Sequence, residues 1–282
     1  MSDMSDSLTV ALISDVFFEN DAPSRLLARL QEARSKGAAL ACLPEIPCNP
    51  WAPATRTPSD DDAEPPQGPR HTMMSKAAKE VGIGLIGGAI VKDPETGVRR
   101  NTALVFTDSG ECIAQYSKIH VPQEPGFWES SHYEPGIEAP KRIDGFPIPI
   151  GIQICSDNNR PQGAHLLAAQ GVGAMFVPRS TCEGLYEKTW KHVWRANAIV
   201  GGMYVLSVNR PSPEQGVDIG GPSIVVAPDG EVILETRDPV AVATLNQAAL
   251  DHASNDYPAY LAVPSDIYAK AWSEITPRGA NA

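Results

Sequence analysis

Short apolar runs alternate with helix-length amphipathic segments along this chain, and several runs are joined by tight turns instead of helices. That combination constrains the fold more than any other feature. Strand–helix–strand units require parallel pairing and hairpins require antiparallel pairing, so the sheets are mixed and covered by helices. Residues 8–16 alternate as a strand. Asp21 offers an N-cap and Pro23 lies in the first turn of a helix carrying Leu26, Leu27, Leu30 and Ala33 on one face, which Gly37 stops. Residues 39–43 read as a second buried strand ending at Pro44-Glu45. A short helix over 72–80 precedes a strand over 83–91. The turns Pro94-Glu95-Thr96-Gly97 and Asp108-Ser109-Gly110 then join that strand to runs at 102–107 and 112–116.

The second half repeats the style. A strand over 148–154 leads through Ser156-Asp157-Asn158-Asn159 into a helix with Pro161 near its start and Gly171 past its end. A strand over 174–177, a helix over 183–199 and strands over 204–208, 223–226, 231–235 and 240–245 follow, with Pro228-Asp229-Gly230 as a hairpin turn. The acidic, proline-rich stretch 52–69 reads as a surface loop, either a solvated excursion or a lid over a pocket. From Asn246 the chain reads as an irregular tail, with an aromatic segment near Tyr268 and Trp272. No linker-like shift in composition divides residues 1–282, so a single α/β domain is expected.

Charge and cysteine usage narrow the partners. The chain carries 23 Lys and Arg against 34 Asp and Glu, a net charge of −11, which repels nucleic-acid phosphates. No apolar run approaches the roughly 18 residues a membrane helix needs. The first seven residues are polar and acidic, unlike the basic start of a signal peptide. Five cysteines (42, 48, 112, 155 and 182), odd in number and without a Cys-x-x-Cys pair, fit a reducing cytoplasm better than a disulfide framework or a zinc cage.

Cys155 is the sharpest chemical feature. It follows an apolar strand and precedes a tight polar turn into a helix, where unpaired N–H groups favour a thiolate and can hold an oxyanion. The alternative is a buried core cysteine. Glu45 ends the second buried strand, where a carboxylate is either paired, working or turned to solvent. Lys118 follows a strand-like run and Glu129 is flanked by aromatics. None of the six histidines is spaced for metal binding, but His120 or His132 can in principle form a dyad with Cys155.

These segments together resemble the nitrilase superfamily of carbon–nitrogen hydrolases. Leu43-Pro44-Glu45, Tyr116-Ser117-Lys118-Ile119-His120-Val121-Pro122 and Gly151-Ile152-Gln153-Ile154-Cys155-Ser156-Asp157 resemble its three signatures, in the right order. The later runs 204–210 and 223–230 resemble further family strands. The stretch from Lys118 to Gly136 is most similar to N-carbamoylputrescine amidase-like members, next to aliphatic amidase types. It places Glu129 on the family's second glutamate. The sequence also departs from the pattern, with Ser156 and Gln162 where an aromatic and a Glu are frequent and Val200-Gly201 where Glu-Asn is frequent. Cys155-Ser156-Asp157 in place of the Cys-Trp-Glu of true nitrilases favours an amide over a nitrile.

The resemblance implies a four-layer α-β-β-α sandwich with two mixed sheets, assembled as a homodimer or larger through its helical face and the tail from about residue 246. It also implies hydrolysis of a small amide or N-carbamoyl compound through a Cys155 thioester, with no metal or organic cofactor. Glu45 is the expected general base, a part that requires its pKa to rise toward neutrality. Lys118 and the Ser156 N–H are the expected oxyanion donors, and Glu129 the orienting carboxylate. Trp51, Phe127, Trp128 and Tyr133 are expected pocket walls. Arg179 is expected either to bind a substrate carboxylate or to form a structural ion pair, whereas Glu124 and Glu134 suit an amine-bearing substrate. A nitrilase is the second enzymatic reading, and a non-catalytic binding protein on the same sandwich is the reading from another class.

Overall fold

The computed structural model describes residues 6–275; residues 1–5 and the last seven of the expected tail lie outside the described residues. In the first half, β1 (Ser7–Ile13), α1 (Ala22–Ser35) and β2 (Leu40–Cys42) lead to a two-residue strand β3 (Ala63–Glu64). Helix α2 (Pro69–Val81) and the meander β4 (Gly84–Lys92), β5 (Arg99–Phe106) and β6 (Cys112–Ser117) follow. The second half runs β7 (Ile150–Ile152), α3 (Pro161–Ala169), β8 (Ala174–Arg179), α4 (Lys191–Gly201), β9 (Tyr204–Asn209), β10 (Ser223–Val226), β11 (Val232–Thr236) and β12 (Val240–Asn246).

Two mixed sheets result. One has the order β12-β1-β2-β4-β5-β6 with β3 beside β4, and the other β11-β10-β9-β8-β7. The β1–β2, β2–β4, β7–β8 and β8–β9 pairs are parallel, while the hairpin pairs β4–β5, β5–β6, β9–β10 and β10–β11 are antiparallel. The inner faces meet in one core in which Val10, Leu12, Leu40, Ile86 and Val105 join Ile150, Phe176, Leu206 and Ile224. Helices α1 and α2 cover the outer face of the first sheet through Leu26, Leu30, Met74 and Ala78. Leu167, Trp194 and Ala198 of α3 and α4 join the core from the second sheet's side. The layers are therefore α-β-β-α.

Three elements differ from the sequence-based expectation. The tail is not irregular: α5 (Gln247–Ser254) and α6 (Ser265–Ser273) occupy it. The helix expected over 183–199 is a 3-10 turn (Glu183–Leu185), a π turn (Tyr186–Trp190) and only then α4. Its distorted first part wraps Tyr186, Trp190 and Trp194 into an aromatic cluster, a packing demand that hydrophobic spacing alone does not reveal. The loop 52–69 holds two 3-10 turns and β3, and its Glu64 is buried where it accepts the N–H groups of Arg70 and His71 at the start of α2.

Candidate active site

Four chain segments end at one place between the sheets. Past β2, Glu45 sits beside Ile46, whose φ of 39° is strained for a β-branched residue. Arg210, just past β9, holds that turn by donating to the carbonyls of Glu45, Ile46 and Asn49, and its own charge is met by Glu214 at 2.7 Å. Past β6, Lys118 is fixed by its N–H to Asn101 O and by the Gly136 N–H to its own carbonyl. Gly136 is required there, because a Cβ would lie 2.3 Å from Ser117 O. Past β7, Cys155 takes φ +50° and opens a 3-10 turn (Cys155–Asn159) that feeds α3. Glu129 opens a 3-10 turn of its own (Glu129–Ser131) in the long loop after β6.

Lys118 is 0% exposed, and its Nζ donates to Glu45 Oε1 at 2.8 Å and Glu129 Oε2 at 2.5 Å. Asn101 Nδ2 donates to Glu45 Oε1 at 2.8 Å, and the Tyr133 hydroxyl donates to Glu129 Oε2. Each carboxylate thus has one oxygen tied down, while Glu45 Oε2 and Glu129 Oε1 are buried with no hydrogen-bond partner among the described residues. Burial works against the Lys118 ammonium, but Cys155, Glu129 and Glu45 outweigh it and hold its pKa well above the ordinary lysine value. Burial raises the Glu129 carboxyl to about 7, with Lys118 opposing and Glu45 adding to the rise. The Cys155 thiol is driven well above its usual range by burial and then by Glu45, against Lys118 and the Ser180 N–H. The resting sulfur is therefore a thiol, not the thiolate expected from its place before a helix. It needs a base to become a nucleophile.

Neither histidine is placed as that base. His120 Nδ1 meets Asp157 Oδ1 at 2.8 Å, and His132 Nε2 meets Thr55 O at 2.7 Å. The other proposed residues divide. Tyr133 joins the polar network through its hydroxyl while its ring packs in an apolar cluster with Ile46, Trp51 and Ile90. Trp51 is buried, donates from Nε1 to Gly126 O and packs edge-on against Phe127 at 5.6 Å. Trp128 lies 3.9 Å under the Arg56 guanidinium. Ser156 is half-buried and its Oγ donates to His120 O, fixing the turn whose backbone N–H was the expected oxyanion donor. Glu124 and Glu134 are exposed.

Arg179 does not form the expected structural ion pair. It is 0% exposed and makes no ion pair with any described residue; its donors go to Ser207 Oγ, Thr181 Oγ1 and Pro222 O, and it lies 4.9 Å from the Trp194 ring. Burial lowers its pKa to about 9, with Cys155 and Tyr186 opposing. The three donors named go to neutral acceptors within the protein.

Two further residues escaped the sequence reading. Asn101 positions Glu45, and nothing in the sequence marks it, since it stands among the polar residues Arg99, Arg100 and Thr102 of β5. Asp157 has the role of a turn former in the sequence, yet it is buried and accepts from Tyr116 OH and from the N–H groups of Ile119, His120 and Ile154, so it bolts the Lys118 loop to the Cys155 elbow. The cavity bounded by Glu45, Asn101, Ile154 and Pro178 measures about 10 Å³, which leaves Glu45 tightly packed from behind. A cleft of about 580 Å³ between β6 and residues 137–144 is bordered by none of the four candidate catalytic side chains. Among the described residues, no group of three or more His, Cys, Asp or Glu is arranged to hold a metal, and no helix is long and apolar enough to cross a membrane.

Fold and site together describe an enzyme that breaks carbon–nitrogen bonds. Residues 23–253 match the carbon–nitrogen hydrolase family model, and the chain belongs to that family. It is 30% identical over 233 residues to an omega-amidase of Xenopus laevis, covering 80% of this chain and 82% of that one. It is 28% identical over 259 residues to the omega-amidase of Homo sapiens, covering 89% and 92%. A carbon–nitrogen hydrolase of Helicobacter pylori superposes with a TM-score of 0.86 at 20% identity, over 96% of this chain and 100% of that one. A mutant of an amidase from Nesterenkonia sp. superposes with a TM-score of 0.74 at 20% identity, over 95% and 98%, and shows covalent addition of the acetamide moiety of fluoroacetamide at its active-site cysteine. The chain is an amidase-type carbon–nitrogen hydrolase. The relatives named are omega-amidases, not the N-carbamoylputrescine amidases or aliphatic amidases that residues 118–136 resemble.

Proposed function

We propose that this enzyme hydrolyses a small primary amide or N-carbamoyl compound through a thioester on Cys155. One observation carries the reading: a buried ammonium joins two buried carboxylates, each keeping a free oxygen, beside a thiol that cannot ionise unaided. Glu45 takes the thiol proton as Sγ bonds to the carbonyl carbon, and the C=O π pair moves onto oxygen. Lys118 and the Ser156 N–H face that oxyanion. Its collapse breaks the C–N bond, and Glu45 returns the proton to the nitrogen, releasing ammonia. Glu45 then takes a proton from water, whose oxygen attacks the thioester; the C–S bond breaks and the sulfur recovers the proton. Glu129 holds Lys118 with Oε2 and offers Oε1 to the amide N–H.

The omega-amidase relatives support an amide substrate, and the Nesterenkonia amidase supports a nucleophilic active-site cysteine. We further assign the enzyme to the cytoplasm, from its five free cysteines, and to a homodimer or larger assembly. The test is ammonia release from a panel of aliphatic amides, ω-amides and carbamoyl compounds. Cys155→Ala is expected to lower kcat by at least about 10⁴-fold while leaving Tm within a few degrees. Turnover by that variant at the wild-type rate rejects the mechanism.

A further inference from the structure

The segment 210–219 holds none of the four candidate catalytic side chains, yet both carboxylate loops rest on it. On the Glu45 side, the buried Arg210 reaches the carbonyls of Glu45 and Ile46 with Nη1 and that of Asn49 with Nη2. Glu214 answers it with both oxygens, Nε donating to Oε1 and Nη2 to Oε2, each at 2.7 Å. The same Oε2 accepts the Trp51 N–H at 3.1 Å. One carboxylate therefore grips the turn 45–51 at both ends, through Arg210 at its start and directly at Trp51. Ile46 sits in that turn at φ 39°, a conformation its own β-branched side chain disfavours, so the turn keeps its shape only while it is held from outside.

On the Glu129 side, Trp51 Nε1 donates to Gly126 O at 2.8 Å and the Trp128 N–H donates to Pro53 O at 2.9 Å. Val217 packs with Ile46, Trp51 and Tyr133 in one apolar cluster, and a Cβ on Gly126 would lie 3.0 Å from Val217. Paired backbone hydrogen bonds between Glu214 and Val217 tie that contact to the carboxylate. Resting on the hydrolase reading above, we propose that Glu214 is a positioning residue for the reaction. It fixes the Glu45 turn against the Glu129 loop, and so sets where the general base stands relative to Lys118 and Cys155. Its oxygens are taken by Arg210 and Trp51, and it acts on the chemistry only through them.

The measurement uses the amide that wild type turns over fastest among the aliphatic amides, ω-amides and carbamoyl compounds of the panel above. A reacting group misplaced by about 1 Å costs up to about 10²-fold in rate. Glu214→Ala should therefore lower kcat about 10- to 100-fold while KM stays within about threefold, because the base acts in the chemical steps. Glu214→Gln keeps the side-chain volume and one acceptor for Arg210, and should lose only about 3- to 10-fold in kcat; it gives the reading if the alanine variant fails to fold. Amide exchange should quicken at 45–51 in both variants and stay at the wild-type rate at 155–159, a reading that needs no turnover. A normal kcat in either folded variant, a KM rise as large as the fall in kcat, or unaltered exchange at 45–51 overturns the assignment and leaves the hydrolase reading standing. Wild type that releases ammonia from no amide overturns the hydrolase reading itself, and this assignment with it.

Discussion

Glu129 holds its proton up to about pH 7 because burial and the nearby Glu45 outweigh the Lys118 ammonium. Its role requires the charged form, since only a carboxylate can accept from Lys118 and Tyr133 and still offer Oε1 to an amide N–H. Activity should therefore be lost on the acid side: kcat/KM rises with pH through about 7 and then levels. The Tyr133 hydroxyl bond favours the ionised carboxylate and so lowers its pKa. Tyr133→Phe should move the acid limb to higher pH, read from kcat/KM profiles of the two enzymes. A limb that stays put or moves down contradicts this placement. Two carboxylates on one ammonium titrate together, so the midpoint belongs to the pair. The sequence pointed to Glu45, Lys118, Glu129 and Cys155 through motif position. Nothing in it marked Asn101, whose meaning comes only from Glu45 across the site, nor showed that Arg179 would find no acid to pair with among the described residues.

At the scale of elements, the site depends on loops that are pinned to one another rather than on any one strand. Asp157 gathers the N–H groups of Ile119 and His120 from one loop, Ile154 N–H from the elbow and the Tyr116 hydroxyl from β6. Asp157→Ala strands several buried donors at once and should cost about 3 kcal/mol or more. For a domain of this size that lowers Tm by roughly 6–12 °C. The displaced Lys118 should lower kcat more than it raises KM, with Asp157→Asn intermediate in both. A normal kcat in Asp157→Ala, at any Tm, removes Asp157 from the positioning scheme. The strands and hairpin turns were legible because period-two alternation and Gly-containing turns are local signals. Spacing did not foresee the 3-10 and π turns between β8 and α4, because they answer to the packing of Tyr186 and Trp190 on Trp194.

Across the described residues, the longest series of exposed large apolar side chains lies in the segment 257–275. Along α6 and the segment before it, Tyr257, Tyr260, Leu261, Val263, Ile267, Tyr268 and Trp272 are all exposed. A nine-residue helix that buries no side chain of its own has little to hold it in water, since isolated helices shorter than about 12–15 residues are marginal. Exposed apolar groups of this number in one segment are of the kind that interaction sites present, and the proposed assembly would cover them. A net charge of −11 disfavours an anionic lipid surface as the cover, and self-association is the commonest way soluble chains solve this problem. Leu166 of α3 and Val200 of α4 expose a second, smaller apolar site on the helical layer. Sedimentation is therefore expected to give a dimer or larger species at micromolar concentration. Ile267→Ser with Trp272→Ser should shift it toward the monomer, and the turnover per chain then reports whether the catalytic loops depend on assembly. A wild-type chain that sediments as a monomer at high protein concentration removes the tail from any role in association and leaves the exposure of Trp272 to be explained by another partner.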